Sequence, residues 1–151
     1  MIEDTLEYLE KTLDVEGMCE FTRSFVDDLD SAMRIDVDLE SDSEWTGVIF
    51  LGMGGSGASG KFLKTISEED GGLPFVVWND YSLPRWWGPE WLVIATSYSG
   101  NTEETLSGIN EALELGGTVI GISSGGAMTE ILAMYQEAVH VPIPGGQMPR
   151  S

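Results

Sequence analysis

The chain changes rhythm near Trp45. Before it, apolar residues recur every three to four positions: Ile2, Leu6, Leu9 and Leu13, then Met18, Phe21, Phe25, Leu29 and Met33. That spacing predicts two helices, each with one apolar stripe and with Asp and Glu on its other faces. Asp14 to Gly17 is the natural break between them. Ile35, Val37 and Leu39 then alternate with Asp36, Asp38 and Glu40, and the stretch to Glu44 is loop-like, so residues 34–44 read as an extended connection. After Trp45 the apolar residues gather in short solid runs bounded by glycine and proline. Gly47–Leu51, Pro74–Asn79, Trp91–Thr96, Thr118–Ile122 and Ala138–Ile143 are strand-like, and solid apolar runs suit strands buried on both faces of a parallel sheet. Helical patterns lie between them, through Phe62, Leu63 and Ile66, through Leu106, Ile109 and Leu113, and through Met128, Ile131, Leu132 and Tyr135. Asp80 to Glu90 holds two prolines and the pair Trp86-Trp87, and reads as a loop whose tryptophans pack in the core or at an interface.

Strands alternating with helices predict an α/β fold. The expected architecture is a three-layer, doubly wound, flavodoxin-like parallel sheet of five strands over residues 45–151, preceded by a helical segment, residues 1–44, that packs on it.

Charge narrows the list of partners. Among 151 residues, 26 are acidic and 7 basic, for a net charge of −19. No basic stripe exists to neutralise phosphates, so nucleic acid is not an expected partner. Residues 1–44 carry 15 of the acidic side chains and 3 of the basic ones. They read as a solvated surface of the kind a salty cytosol favours. No apolar run approaches the ~18 residues of a membrane span, so no membrane contact is expected. The single cysteine, Cys19, cannot form an internal disulfide and suits a reducing compartment. It is expected to pack on a helix face rather than act as a nucleophile. The N-terminus lacks a basic start and an apolar core, and a cytoplasmic location is expected.

Two loops carry candidate chemistry. Gly52-Met53-Gly54-Gly55-Ser56-Gly57 follows the first strand of the sheet. It fits the dinucleotide pattern G-x-G-x-x-G, with Asp80 placed like a ribose-binding carboxylate, although a loop so rich in glycine satisfies such patterns easily. Gly55 to Lys61 also fits G-x-x-x-x-G-K, but Phe62 stands where a P-loop needs Ser or Thr for magnesium. What survives is physical: glycines let backbone N–H groups approach a ligand, and Ser56 offers a hydroxyl. The second loop, Ser97-Tyr98-Ser99-Gly100-Asn101-Thr102, hands the third strand over to a helix. Ser97, Ser99 and Thr102, together with the free N–H groups and positive dipole end of that helix, suit a phosphate monoester. Asn101 is the expected N-cap, with Glu104 completing a capping box. Glu103 and Glu104 would repel a phosphate and should point away from it. His140 alternates with Val139 and Val141 in the last strand and is expected to be structural.

The residues Gly54-Gly55-Ser56-Gly57, the run from Ser97 to Thr105, Ser123-Ser124-Gly125-Gly126 and Pro149-Arg150 together resemble the sugar isomerase (SIS) domain. The nearest resemblance is to the N-terminal half of the bifunctional phosphoglucose/phosphomannose isomerases. The resemblance implies aldose–ketose isomerisation of hexose 6-phosphates without a metal or cofactor. It implies that Ser97, Ser99 and Thr102 hold the phosphate, that Gly55 and Ser56 contact the sugar phosphate, and that Arg150 is catalytic, lying against C1 and C2 to stabilise the enediolate. It also implies that the base and the ring-opening residues belong to a second SIS domain, for which no counterpart lies in this sequence. The chain alone is then expected to bind hexose phosphate, to isomerise it poorly or not at all, and to pair with a second copy or a second SIS domain. The alternative is a non-catalytic, regulatory sugar-phosphate binder using the same pocket.

Overall fold

The computed structural model describes residues 2–14, 17–37 and 44–146. Its elements run α1 (Ile2–Leu13), α2 (Met18–Ala32), β1 (Gly47–Leu51), α3 (Gly54–Glu69), β2 (Phe75–Trp78), β3 (Trp91–Thr96), α4 (Glu103–Glu114), β4 (Val119–Ser123), α5 (Ala127–Leu132) and β5 (Ala138–Pro142). The chain up to Asp36 forms one compact unit and Val37–Gly146 another.

The second unit is a sheet of five parallel strands in the order β2-β1-β3-β4-β5. The period-2 alternation of a strand sorts its side chains onto two faces. Ile49, Leu51, Val93, Ala95 and Val119 point to one face, where they pack with Ile109, Ala112 and Leu113 of α4 and Met128 and Leu132 of α5. Ile49, Val93, Ile109 and Val119 are completely buried, and each such side chain contributes about 1.5–3 kcal/mol of transfer free energy. The opposite face of β1 carries Phe50, whose ring stacks on Phe75 of β2 and lies beneath α3. Right-handed crossovers explain the division. A step from β1 out to β2 places its helix on one face, and steps in the other direction place theirs on the opposite face.

The β2-to-β3 connection crosses β1 without a helix. Leu83 and Trp87 fill that role, buried in the cluster with Ile49 and Ile109. Trp86, its neighbour, is 53% exposed and meets Trp91 edge to face at 4.9 Å.

Helix α3 departs from the sequence expectation in two ways. It starts at Gly54, inside the glycine loop, rather than after it. Gly54 has φ +54°, which lets the chain turn from extended Met53 straight into the helix. Its inner face is also not the apolar one. Gly57 and Gly60 are buried, and a Cβ on Gly60 would strike the Phe50 ring. The helix therefore lies close to β1 on its glycines. Phe62, Leu63 and Ile66 turn outward, with Phe62 68% exposed.

In the first unit the break between the helices is built by one carboxylate. Asp14 accepts the Met18 N–H at 2.7 Å and the Cys19 N–H at 2.8 Å, and Gly17 turns at φ +73°. The Cys19 N–H is the largest cause holding the Asp14 carboxyl below its ordinary range. Partial burial, followed by the hydrogen bond with Asp14, raises the Cys19 thiol, so it stays protonated at neutral pH. Arg23 of α2 pairs with Glu10 of α1. No residue of α2 is fully buried, and Phe25 and Leu29 are exposed. Among the described residues no helix is long and apolar enough to cross a membrane.

Candidate functional site: two loops at the switch point of the sheet

β1 and β3 are neighbours in register, Leu51 beside Ala95, and their helices leave to opposite faces of the sheet. That divergence opens a crevice at the carboxyl ends of the two strands, where open α/β sheets bind ligands. Both candidate loops start there.

On the β1 side, the Asn79 amide donates to the Gly52 carbonyl at 2.7 Å and fixes the strand end. A Cβ on Gly57 would fall 2.7 Å from both that carbonyl and that amide, so no larger side chain fits. Gly55 differs. It is exposed, and a Cβ there would meet nothing of the protein within 4 Å. Ser56 is half-buried, and its carbonyl accepts the Ser59 hydroxyl at 2.6 Å.

On the β3 side, proton bookkeeping shows what the hydroxyls have left to give. Ser97 is buried, 1% exposed, and its Oγ lies 2.8 Å from Thr102 Oγ1. One of the two hydroxyls donates to the other, which leaves one O–H for a further acceptor. Ser99 is exposed, and its Oγ accepts the Asn101 N–H at 3.2 Å, so its own proton is free to donate. α4 begins directly after Thr102, and Leu106 N–H is the first to find its acceptor, the Thr102 carbonyl at 2.9 Å. Helix geometry leaves the N–H groups of Glu103, Glu104 and Thr105 ahead of that first bond. The loop is thus a concentration of donors at the positive end of a dipole, which suits an anion.

The capping expectation is corrected here. Thr102, not Asn101, is the N-cap of α4, and it makes no side-chain cap bond. The Asn101 amide reaches sideways instead. Its Nδ2 donates to the Ser99 carbonyl at 3.0 Å, and its Oδ1 accepts the Ala127 N–H at 3.0 Å. The side chain thereby ties the hydroxyl loop to the β4–α5 loop. Asn101 Oδ1 thus satisfies a free N–H at the head of α5 rather than one at the head of α4.

Glu103 is directed away from the loop. Tyr81 donates its hydroxyl to Glu103 Oε2 at 3.3 Å, Ser82 N–H reaches Ser107 Oγ at 3.2 Å and Leu83 N–H reaches Glu111 Oε2 at 2.6 Å. Positions 103, 107 and 111 form one stripe of α4 at helical spacing. The β2–β3 connection is strapped along it, with Ser82 held at φ +61°. Glu104 first, then burial and Glu103, raise the Tyr81 phenol, which keeps it a donor.

Sequence reasoning missed three features: the sideways role of Asn101, the strap along α4, and Thr105. The Thr105 hydroxyl is buried without a hydrogen-bond partner. Tertiary placement decides each of them, and no local pattern announces it. Arg150, with Pro149, lies outside the described residues. Among the described residues no group of His, Cys, Asp and Glu could hold a metal ion.

The family model of the SIS domain matches residues 43–139. Over 104 residues the chain is 39% identical to a bifunctional phosphoglucose/phosphomannose isomerase of Caldicellulosiruptor bescii, covering 69% of this chain and 30% of that protein. Over 107 residues it is 40% identical to a protein of the same name from Thermoplasma acidophilum, covering 71% of this chain and 32% of that one. The chain therefore spans about a third of the length of these curated relatives. The crystal structure of tagatose-6-phosphate ketose/aldose isomerase from Escherichia coli shares the fold, with a TM-score of 0.58 at 18% identity over 85% of this chain and 36% of that one.

Proposed function

The chain belongs to the SIS domain family, and from that premise we propose that its sheet unit is the phosphate-binding part of an aldose–ketose isomerase acting on hexose 6-phosphates. The reaction would interconvert glucose 6-phosphate or mannose 6-phosphate with fructose 6-phosphate. In this reading Ser99 and the Ser97–Thr102 pair donate to the phosphoryl oxygens, joined by the N–H groups that open α4. Gly55 and Ser56 approach the sugar phosphate from the facing loop. The single observation that carries the reading is the Ser97–Thr102 hydroxyl pair beside the unpaired Ser99 proton at the head of α4. The names of the relatives supply the sugar.

Isomerisation through an enediol moves a proton between C1 and C2 and stabilises an oxyanion on the way. Arg150 is our candidate for the second task, as a fixed positive charge against the developing enediolate. The first task needs a base, and the resemblance to the family assigns it to a second SIS domain. In this reading the proton-moving group comes from a partner, either a second copy or a further SIS domain. The second reading is a chain that binds sugar phosphate without turning it over.

Calorimetric titration tests the reading with glucose 6-phosphate, mannose 6-phosphate, inorganic phosphate and free glucose. Binding of the three phosphates and not of glucose is expected, with loss of affinity in Ser99→Ala. Equal affinity of Ser99→Ala and the native chain would remove the loop from the site. Full turnover of fructose 6-phosphate by a monomer of this chain would refute the borrowed base.

A further inference from the structure

His140 is the only histidine of the chain and takes no part in the site described above. It sits on β5, half-buried, with Nε2 2.8 Å from Ser123 Oγ and 3.4 Å from Thr129 Oγ1. Ser123 is fully buried at 0% exposure. Its hydroxyl has three partners and one proton. The Gly125 carbonyl, at 2.9 Å, can only accept, so it takes the serine proton. The Gly125 N–H, at 3.3 Å, can only donate. His140 must then donate as well, which assigns its proton to Nε2.

Gly125 is what the hydroxyl loop rests on. Gly100, at φ +65°, passes so close to the Gly125 carbonyl that a Cβ would lie well inside 3.0 Å of it. Around this contact the carbonyls on either side of Ser99 accept from the β4–α5 loop and the start of α5. Ser124 gives its N–H and its hydroxyl to the Tyr98 carbonyl at 3.0 and 2.7 Å, and Met128 N–H goes to the Gly100 carbonyl at 3.0 Å. The third tie is the Ala127–Asn101 bond.

We infer that His140 is a positioning residue for the phosphate loop: by donating Nε2–H to Ser123 it fixes the Gly125 carbonyl, and through it the seat of Gly100 and the aim of Ser99. The inference rests on the phosphate-site reading for its consequence but not for its geometry. Without the histidine donor, the Ser123 oxygen keeps only the Gly125 N–H as a donor, and the hydroxyl that holds the peptide beneath Gly100 loses one of its two anchors.

Nitrogen-15 NMR reads the single imidazole without ambiguity, and the native chain is expected to show the Nε2–H tautomer. In His140→Leu the amide resonances of Gly100 and Gly125 are expected to shift, and those of the remote turn glycines Gly71 and Gly116 to stay. His140→Gln, whose Nε2 amide donates from nearly the same place, should restore them. Titration with inorganic phosphate should weaken about five-fold in His140→Leu, one lost hydrogen bond's worth, and recover in His140→Gln. If His140→Leu does not fold, Ser123→Ala reads the same amides from the other end of the bond. An Nδ1–H tautomer, or unmoved Gly100 and Gly125 amides, overturns the inference. Shifted amides in a chain whose native form binds no phosphate would uphold the positioning role and refute the phosphate site.

Discussion

Gly100→Ala should be among the most damaging single-methyl additions in the sheet unit. Two costs fall on it. An alanine at φ +65° pays roughly 1–2 kcal/mol for the left-handed backbone. Its Cβ also overlaps the Gly125 carbonyl, where ordinary contact begins near 3.4 Å and real Cβ atoms do not come within 3.0 Å. Backbone cannot rotate out of the way as a side chain can, so the two loops must part, at about 1–3 kcal/mol for a forced insertion. Gly116→Ala separates the terms. Gly116 has φ +79°, but nothing lies within 4 Å of its Cβ position, so it carries the backbone cost alone. Urea denaturation of the two variants, followed by a signal from the sheet unit, gives the difference. The expected ΔΔG of Gly100→Ala exceeds that of Gly116→Ala by about 1–3 kcal/mol, and phosphate affinity falls only in the former. Equal destabilisation of the two would show that the hydroxyl loop is not seated on Gly125, and the coupling of the two loops would be wrong.

Gly55→Ala is expected to behave in the opposite way. With open space at its Cβ position, alanine in the first turn of α3 should raise stability by up to about 1 kcal/mol, while weakening sugar-phosphate binding if the ligand approaches that backbone. Thr102→Val leaves the buried Ser97 hydroxyl without its partner. A drop of about 1–3 kcal/mol in thermal or urea stability is expected, together with weaker phosphate binding. The helical unit should respond to acid through Asp14. Its pKa is lowered in the folded state, so the stability it supplies is present above the unfolded value and lost as pH falls through the folded one. Circular dichroism should show α2 losing helicity below the ordinary carboxylate range, and Asp14→Asn should remove that pH dependence.

Much of the sheet unit was legible because its signals are local. Val48 to Leu51, between two glycines, and Trp91 to Ala95, between Pro89-Glu90 and Thr96-Ser97, are apolar runs too short for helices, and they are the central strands β1 and β3. The hydroxyl loop was legible for the same reason, since a strand and a helix frame it in sequence. Position 62 misled because periodicity reports where apolar residues fall, not which face the fold buries. α3 approaches β1 through Gly57 and Gly60, and glycine leaves no mark in a hydrophobic pattern. Trp87 entered the core from a loop because the β2-to-β3 connection, which crosses β1, carries no helix of its own. The tie from Asn101 to Ala127 spans 26 residues, and the bond from His140 to Ser123 joins two strands. The first needs β3 and β4 side by side, and the second the pairing of β4 with β5, neither of which a local pattern states.

The central claim is that a sugar phosphate is held at the head of α4. An amide-resolved NMR titration with glucose 6-phosphate, run beside free glucose, tests it most directly. The account predicts saturable shifts concentrated at Ser99 to Thr105 and at Gly55 and Ser56, absent with glucose and absent from α1 and α2. Saturable shifts confined to other parts of the molecule, or none with the phosphate ester, would contradict it.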